Sequence, residues 1–259
     1  MAGILLLLLS CQSAPQAGQE SQMAAADVVL VTDRGEIGLK LYDETPQHKA
    51  NFLKLAAEGF YDSLTFHRVI AGFMIQSGDP RTRVAAGVPL DAKAPDGPGY
   101  DLPAEIVPGM YHTRGKLAAA RYGDAENPER KSSGSQFYIV SGRPARSRQL
   151  DSLELIRSGT LRGKFFEAYQ PLAGEGKFQG SFDDYLAQEG FEGFAYPDEV
   201  RDAYLTEGGA PWLDFEYTIF GEVIAGMDVV MNIEKMPRDA YDRPVVEVRI
   251  LQTRVKQPQ

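Results

Sequence analysis

The chain has 259 residues, of which 43% are hydrophobic, enough apolar surface for a sizeable core and too much for global disorder. Its formal net charge of −9 argues against a phosphate-binding surface, because non-specific nucleic-acid affinity comes mainly from Lys and Arg, and makes an anionic bilayer a poor partner for the same reason. What the acidity supports is a soluble, self-repelling surface, and a lone cysteine leaves no intramolecular disulfide.

In chain order, the first feature is an unbroken apolar run over residues 4–9, followed by Ser10 and Cys11. A bilayer needs roughly 20 apolar residues, so this run reads as the core of a secretory signal and not as a span. Leu8-Leu9-Ser10-Cys11 resembles a bacterial lipobox. That resemblance implies a signal over residues 1–10 and lipid attachment at Cys11, although no Lys or Arg precedes the apolar run. Plain secretion is the alternative. Gln12 and not Asp follows the cysteine, which by resemblance to Gram-negative lipoproteins points to the periplasmic side of the outer membrane. Residues 11–26, rich in Gln, Ala, Ser and Gly without apolar periodicity, read as a flexible tether.

Strand-like runs then occupy residues 28–32 and 36–42, separated by the hairpin signal Asp33-Arg34-Gly35. A helix is expected from Pro46, with Thr45 as its N-cap, an apolar face of Ala50, Phe52, Leu53, Leu55 and Ala56, and Gly59 as its stop. Residues 64–70 and 73–77 are expected strands joined by Ala71-Gly72; 81–100 is a Pro- and Gly-bearing loop; 115–121 and 136–140 are further strands. Residues 141–211 break this rhythm with a partly helical insertion carrying rings such as Phe165, Phe166, Tyr169, Phe178, Phe182 and Tyr185. So many rings predict a sub-layer packed on the rest of the molecule. A strand over 217–223, a helix over 226–235 and a strand over 243–255 complete the chain. Many short strands with two helices favour a closed, mostly antiparallel sheet.

Two segments carry the chemistry. One is Phe66-His67-Arg68-Val69-Ile70-Ala71-Gly72-Phe73-Met74-Ile75-Gln76-Ser77-Gly78-Asp79; the other is Gly134-Ser135-Gln136-Phe137-Tyr138-Ile139-Val140. With Trp212-Leu213-Asp214 and the step from Tyr217 through Phe220-Gly221-Glu222-Val223, they resemble, in order, the signature segments of the cyclophilins, the peptidyl-prolyl cis-trans isomerases. The resemblance covers roughly residues 28–140 and 212–255. It implies a mainly β fold: a closed eight-stranded antiparallel barrel capped by two helices, spanning 27–255 and interrupted by the insertion at 141–211. It implies isomerisation of X–Pro bonds without cofactor, metal or nucleophile, in proline-containing unfolded or extended polypeptides, by a monomer that meets a membrane only through its lipid.

An X–Pro bond resists rotation because the nitrogen lone pair is delocalised into the carbonyl, a barrier of roughly 18–20 kcal/mol. A donor over the prolyl nitrogen stabilises the twisted state, where the lone pair is localised, more than either planar state. The resemblance gives that part to Arg68, held by Gln76. It gives Gln136 a polar contact to the peptide and Phe73, Met74, Tyr138 and Leu213 the apolar socket for the ring. Ala120 and the Arg121 backbone would line the substrate upstream of proline, with His67 and Tyr217 beside the groove. Tyr138, Tyr217 and Arg121 stand where the best-known members usually have Phe, His and Asn. The Tyr138 hydroxyl is expected to find water or a partner at the pocket rim. His48, His67 and His112 lack metal-ligand spacing. A second reading from another class is a catalytically weak peptide-binding or scaffolding module on the same barrel. The insertion runs directly between Tyr138 and Leu213, so it is expected to flank the site.

Overall fold

The computed structural model describes residues 17–83 and 94–256. Cys11, the proposed signal over residues 1–10, the start of the tether and the middle of the 81–100 loop lie outside the described residues. The elements are α1 (Ala17–Ala25), β1 (Val28–Thr32), β2 (Gly35–Leu41), α2 (Pro46–Ala57), β3 (Arg68–Ile70), β4 (Met74–Ser77), β5 (Asp101–Leu102), β6 (Lys116–Ala119), β7 (Ser132–Ser133), β8 (Phe137–Val140), α3 (Ser147–Gly174), α4 (Phe182–Gln188), α5 (Asp198–Thr206), β9 (Ile219–Ala225), α6 (Met227–Glu234) and β10 (Ile250–Val255).

Eight strands form one antiparallel sheet in the order β10-β1-β2-β9-β6-β8-β4-β3, and β5 pairs with β7 apart from it. The expected closed barrel is corrected to an open, curled half-barrel, because β3 and β10 do not pair as strands. The segment before β3 meets the start of β10 and the residues before it through three backbone hydrogen bonds, Ser63 N–H to the Ile250 carbonyl (2.7 Å), Ile250 N–H to the Leu64 carbonyl (2.8 Å) and Phe66 N–H to the Val248 carbonyl (2.9 Å), with Thr65 and Arg249 forming an isolated bridge. Ser63 at φ 68° and Asp242 at φ 60° occupy the left-handed region at the two ends of this contact. The strands expected over 64–70 and 243–255 are therefore cut to 68–70 and 250–255.

The inner face of the sheet builds the main core from Leu30, Ile37, Leu39, Val69, Ile75, Leu117 and Ile139, over which α2 and α6 lay Phe52, Leu55, Val230 and Ile233. Phe52, Tyr61, Phe137 and Phe220 meet through ring centroids 4.9–5.5 Å apart. Thr45 makes no side-chain cap on α2. A carboxylate far along the chain satisfies the orphan donors instead, Gln47 N–H donating to Glu105 Oε1 (3.1 Å) and His48 N–H to Oε2 (3.0 Å).

The stretch read as a flexible tether is helical over Ala17–Ala25. Its Ala, Gln, Glu and Met residues are strong helix formers, and it lies against β2 and β9, with the Met23 sulfur 2.9 Å from where a Cβ of Gly38 would be. The insertion carries three helices, and most of its rings do not dock on the sheet. Phe166, Tyr169, Phe178, Phe182 and Tyr185 stack on one another at its distal end, so the insertion supplies its own small core. Its two ends meet at Gly142 and Gly209, where a Cβ on Gly142 would stand 2.4 Å from the Gly209 backbone. Only glycine permits that approach, and it lets the excursion leave and re-enter the sheet at one point.

Candidate active site

Side chains along a strand alternate between faces, and directly paired residues share a face. The ladder pairs Arg68 with Gln76, Gln76 with Tyr138, Tyr138 with Ala118, and Ala118 with Ile219. These residues form one transverse row on the outer face, while their neighbours Val69, Ile75, Ile139 and Leu117 point into the core. Met74, two residues from Gln76, joins the same outer face. There Met74, Tyr138, Ala118, Val140, Ala210 and Ile219 are buried together, with Phe73, Ala120, Leu213 and Tyr217 packed against them and partly open. The residues expected to line the proline socket are thus brought into one apolar cluster beside Arg68.

Arg68 itself is exposed. Its Nη1 donates to Gln76 Oε1 (3.3 Å), and the described residues give it no ion pair. Gln76 Nε2 donates to Gln136 Oε1 (3.0 Å), and Gln136 Nε2 donates to the Asp96 carbonyl (3.1 Å). This relay spends the amide groups on orienting the guanidinium and leaves most of its donors free. Asp96, the end of the relay, was not singled out in the sequence; it sits in a loop with no periodicity to mark it.

Next to the row lies a groove of about 500 Å³ walled by Gln76, Gln136, Ala120, Arg121 and His67. The Arg121 N–H and C=O take no partner among the described residues. Its side chain, 5% exposed, is committed inward: Nε donates to the Glu216 carbonyl (2.9 Å), Nη1 reaches Asp124 (2.6 Å), and the guanidinium lies 4.5 Å from the Tyr217 ring centre. The two departures at 121 and 217 therefore satisfy each other. Burial pushes the His67 imidazole down to about 4, a shift that the Asp79 carboxylate opposes. His67 is neutral at pH 7.

Tyr138 departs from the expectation of a hydroxyl at the rim. It is 4% exposed, and its OH lies 3.1 Å from His112 Nε2, beneath the socket. His112 Nδ1 lies 3.0 Å from Asp214 Oδ1, and its backbone N–H donates to the same oxygen at 2.6 Å. A carboxylate only accepts, so Nδ1 carries the proton, and in the neutral ring Nε2 accepts from Tyr138. Asp214 also accepts from Tyr204 (2.7 Å) and Tyr196 (3.2 Å) of the insertion, and Arg157 of α3 bonds Tyr196 and the Pro211 carbonyl (2.6 Å). Burial and the Asp214 charge push both tyrosines up. This network was missed because its members are up to 102 residues apart in the chain. It fixes the short 3₁₀ turn Pro211–Leu213, which carries the 48% exposed Trp212 and Leu213 to the socket; the Phe73 and Trp212 rings lie 5.4 Å apart.

The comparisons with known proteins agree with this geometry. The model of the family described as cyclophilin type peptidyl-prolyl cis-trans isomerase/CLD matches residues 28–167 and 202–255. Proteins of Staphylococcus aureus and Staphylococcus epidermidis named "Putative peptidyl-prolyl cis-trans isomerase" are 29% identical over 237 residues, covering 91% of this chain and 94% of theirs. The crystal structure of a cyclophilin type peptidyl-prolyl cis-trans isomerase of Cryptosporidium parvum aligns with a TM-score of 0.53 at 23% identity, covering 90% of this chain and 98% of that one. A second crystal structure of that protein, in the presence of the dipeptide Ala-Pro, aligns with the same TM-score of 0.53. That likeness shows the fold. The chain belongs to the cyclophilin-type peptidyl-prolyl cis-trans isomerase family.

Proposed function

We propose that this chain accelerates X–Pro rotation in folding polypeptides outside the cytoplasm, with Arg68 as the catalytic residue. One observation carries the reading: a guanidinium with free donors stands in the same transverse row as the apolar socket, steadied by an amide relay. The proline ring enters among Phe73, Met74, Tyr138 and Leu213 and stays fixed there. The residue before proline lies along Ala120 and the open backbone of Arg121, as an added strand would. The carbonyl side of the bond then turns, and Arg68 donates to the nitrogen as its lone pair localises. Because this contact exists only in the twisted state, it raises kcat, about 1.36 kcal/mol for each tenfold. The presence of Ala-Pro with the Cryptosporidium relative supports proline-containing peptides as the substrate class.

The test is an NMR exchange assay on a short Ala-Pro peptide. Arg68→Ala is expected to lower kcat/KM about 100-fold, the loss typical of one transition-state donor. Equal, near-background rates in both proteins would overturn the enzyme reading, and retained peptide binding would then leave a binding module.

The proposed setting is the cell envelope, with Cys11 carrying the lipid and the chain on the periplasmic side of the outer membrane. The lipobox-like Leu8-Leu9-Ser10-Cys11 supports it. No helix among the described residues is long and apolar enough to cross a membrane. Mass spectrometry of the mature N-terminus checks this: a lipid-modified Cys11 at the new N-terminus is expected, and an unmodified terminus would sink it.

A further inference from the structure

On the side of the socket opposite Arg121, the start of the insertion builds a second groove of about 700 Å³. Ile70, Phe73, Leu153 and Trp212 give it an apolar lining, and Arg143 and Arg148 stand among its walls. Phe73 and Trp212 belong to both the groove and the socket margin, so the two are continuous.

The rim is chemically unlike the rest of the insertion. Arg143, Arg146 and Arg148 lie within six residues, all three exposed, and none of their guanidinium groups has an ion-pair or hydrogen-bond partner among the described residues, although the Arg146 N–H donates to Gln149 Oε1. Acids are not scarce in this chain of net charge −9. The insertion's other arginines use them: Arg157 faces Asp214, Arg162 pairs with Asp183 at 2.6 Å, and Arg201 holds Asp151 and Glu154. Arg143 is also held in place. Its aliphatic stem packs over Gly72, with Cδ 3.3 Å from the position of a Gly72 Cβ, and its backbone N–H donates to the Gly72 carbonyl at 3.3 Å. Unpaired guanidinium groups above an apolar floor suit an extended segment that offers carboxylates.

We propose that this groove binds the stretch of client polypeptide that follows the proline, and that Arg143 and Arg148 select clients with acidic residues there. The polarity rests on the isomerase reading above, in which residues before proline occupy the Ala120–Arg121 side; the chain beyond the ring then leaves over Phe73 and Trp212, into this groove. An acidic client also meets less repulsion at this patch than on the rest of the anionic surface, so the arginines give the approach of such clients a preferred side.

The test uses the full chain and three peptides with the same central Ala-Ala-Pro-Ala: one with three Asp residues after it, one with three Lys residues after it, and one with three Asp residues before it. NMR exchange gives kcat and KM, and fluorescence anisotropy of labelled peptides gives Kd independently of turnover. At low salt the Asp-after peptide is expected to show KM and Kd about fivefold below the Lys-after peptide, from two exposed charge pairs. That ratio should shrink at high salt. It should fall to one or invert in Arg143→Glu/Arg148→Glu, with kcat unchanged and the Asp-before peptide unaffected. Arg143→Gln/Arg148→Gln provides the same readout if the charge reversal fails to fold. No Asp-over-Lys preference in the wild type, or an equal preference in the variants, overturns the proposal. If no peptide is turned over, the isomerase reading fails while the anisotropy ratios still decide the groove.

Discussion

At the scale of single residues, the site separates charge that is free from charge that is used. The Arg121 guanidinium is held by Glu216 and Asp124 and stacked on Tyr217, while Arg68 spends one donor on Gln76. Gln76→Ala is therefore expected to lower kcat on an Ala-Pro peptide about tenfold with little change in KM, since it unfastens the guanidinium without touching the socket; a change confined to KM would show that the relay serves binding. Arg68→Lys should recover little of the loss seen with Arg68→Ala, because an ammonium lacks the planar fork that lets one edge be held while another donates. His67 carries a pH signature. Its folded value near 4 lies below the ordinary 6.5, so between those values the unfolded chain holds a proton that the folded chain lacks. This residue's effect on stability is thus absent above about pH 6.5, grows unfavourable as pH falls, and levels off below about 4. Chemical unfolding across that window should show a shallower pH slope in His67→Asn than in the wild type, and an NMR midpoint near 6.5 for the ring would refute the assignment.

At the scale of elements, the insertion is joined to the site through an aromatic cluster, in which Tyr196 meets Tyr111 and Phe194 meets Phe215, and through polar groups that converge on Asp214. Tyr204 lies in α5 and Tyr196 just before it, yet both end on Asp214 beneath the Trp212–Leu213 turn. Tyr204→Phe leaves a buried carboxylate short of a donor and should cost about 1–3 kcal/mol in denaturant unfolding; no change would mean that water or Tyr196 makes good the loss. The strands and α2 were legible in the sequence because their apolar positions repeat at periods of two and near four, and the site because Arg68, Gln76 and Tyr138 sit in short, dense strings. The network was not legible, since His112 and Asp214 meet only after folding and no spacing encodes it. Nor was the α2 cap: Thr45-Pro46 carries the local signal, but Glu105 takes the donors. Local composition misled at Ala17–Ala25, where good helix formers without an apolar stripe read as a tether until β2 and β9 supplied a surface. Nor was the open edge legible, since the few contacts between residues 63–66 and 248–250 carry no local signature.

At the scale of the whole molecule, the distal arm of the insertion is separable from the catalyst. The Phe194 N–H donates to Ser158 Oγ at 2.9 Å, so the chain on either side of the arm is already in contact there, and the family match omits residues 168–201. Replacing residues 160–192 by a short Gly-Ser link should leave Ala-Pro turnover within about twofold, whereas a tenfold fall would assign the arm a part in the chemistry. The outer row and the inner core are built on the same strands, with Gln76 and Tyr138 facing out beside Ile75 and Ile139 facing in. A strand threaded one step out of place would carry its amide or its aromatic into the oily interior and leave a hydrocarbon where the peptide should dock. Misassembled copies would thus be silent instead of promiscuous, and turnover per mole reads directly as the fraction of molecules woven correctly.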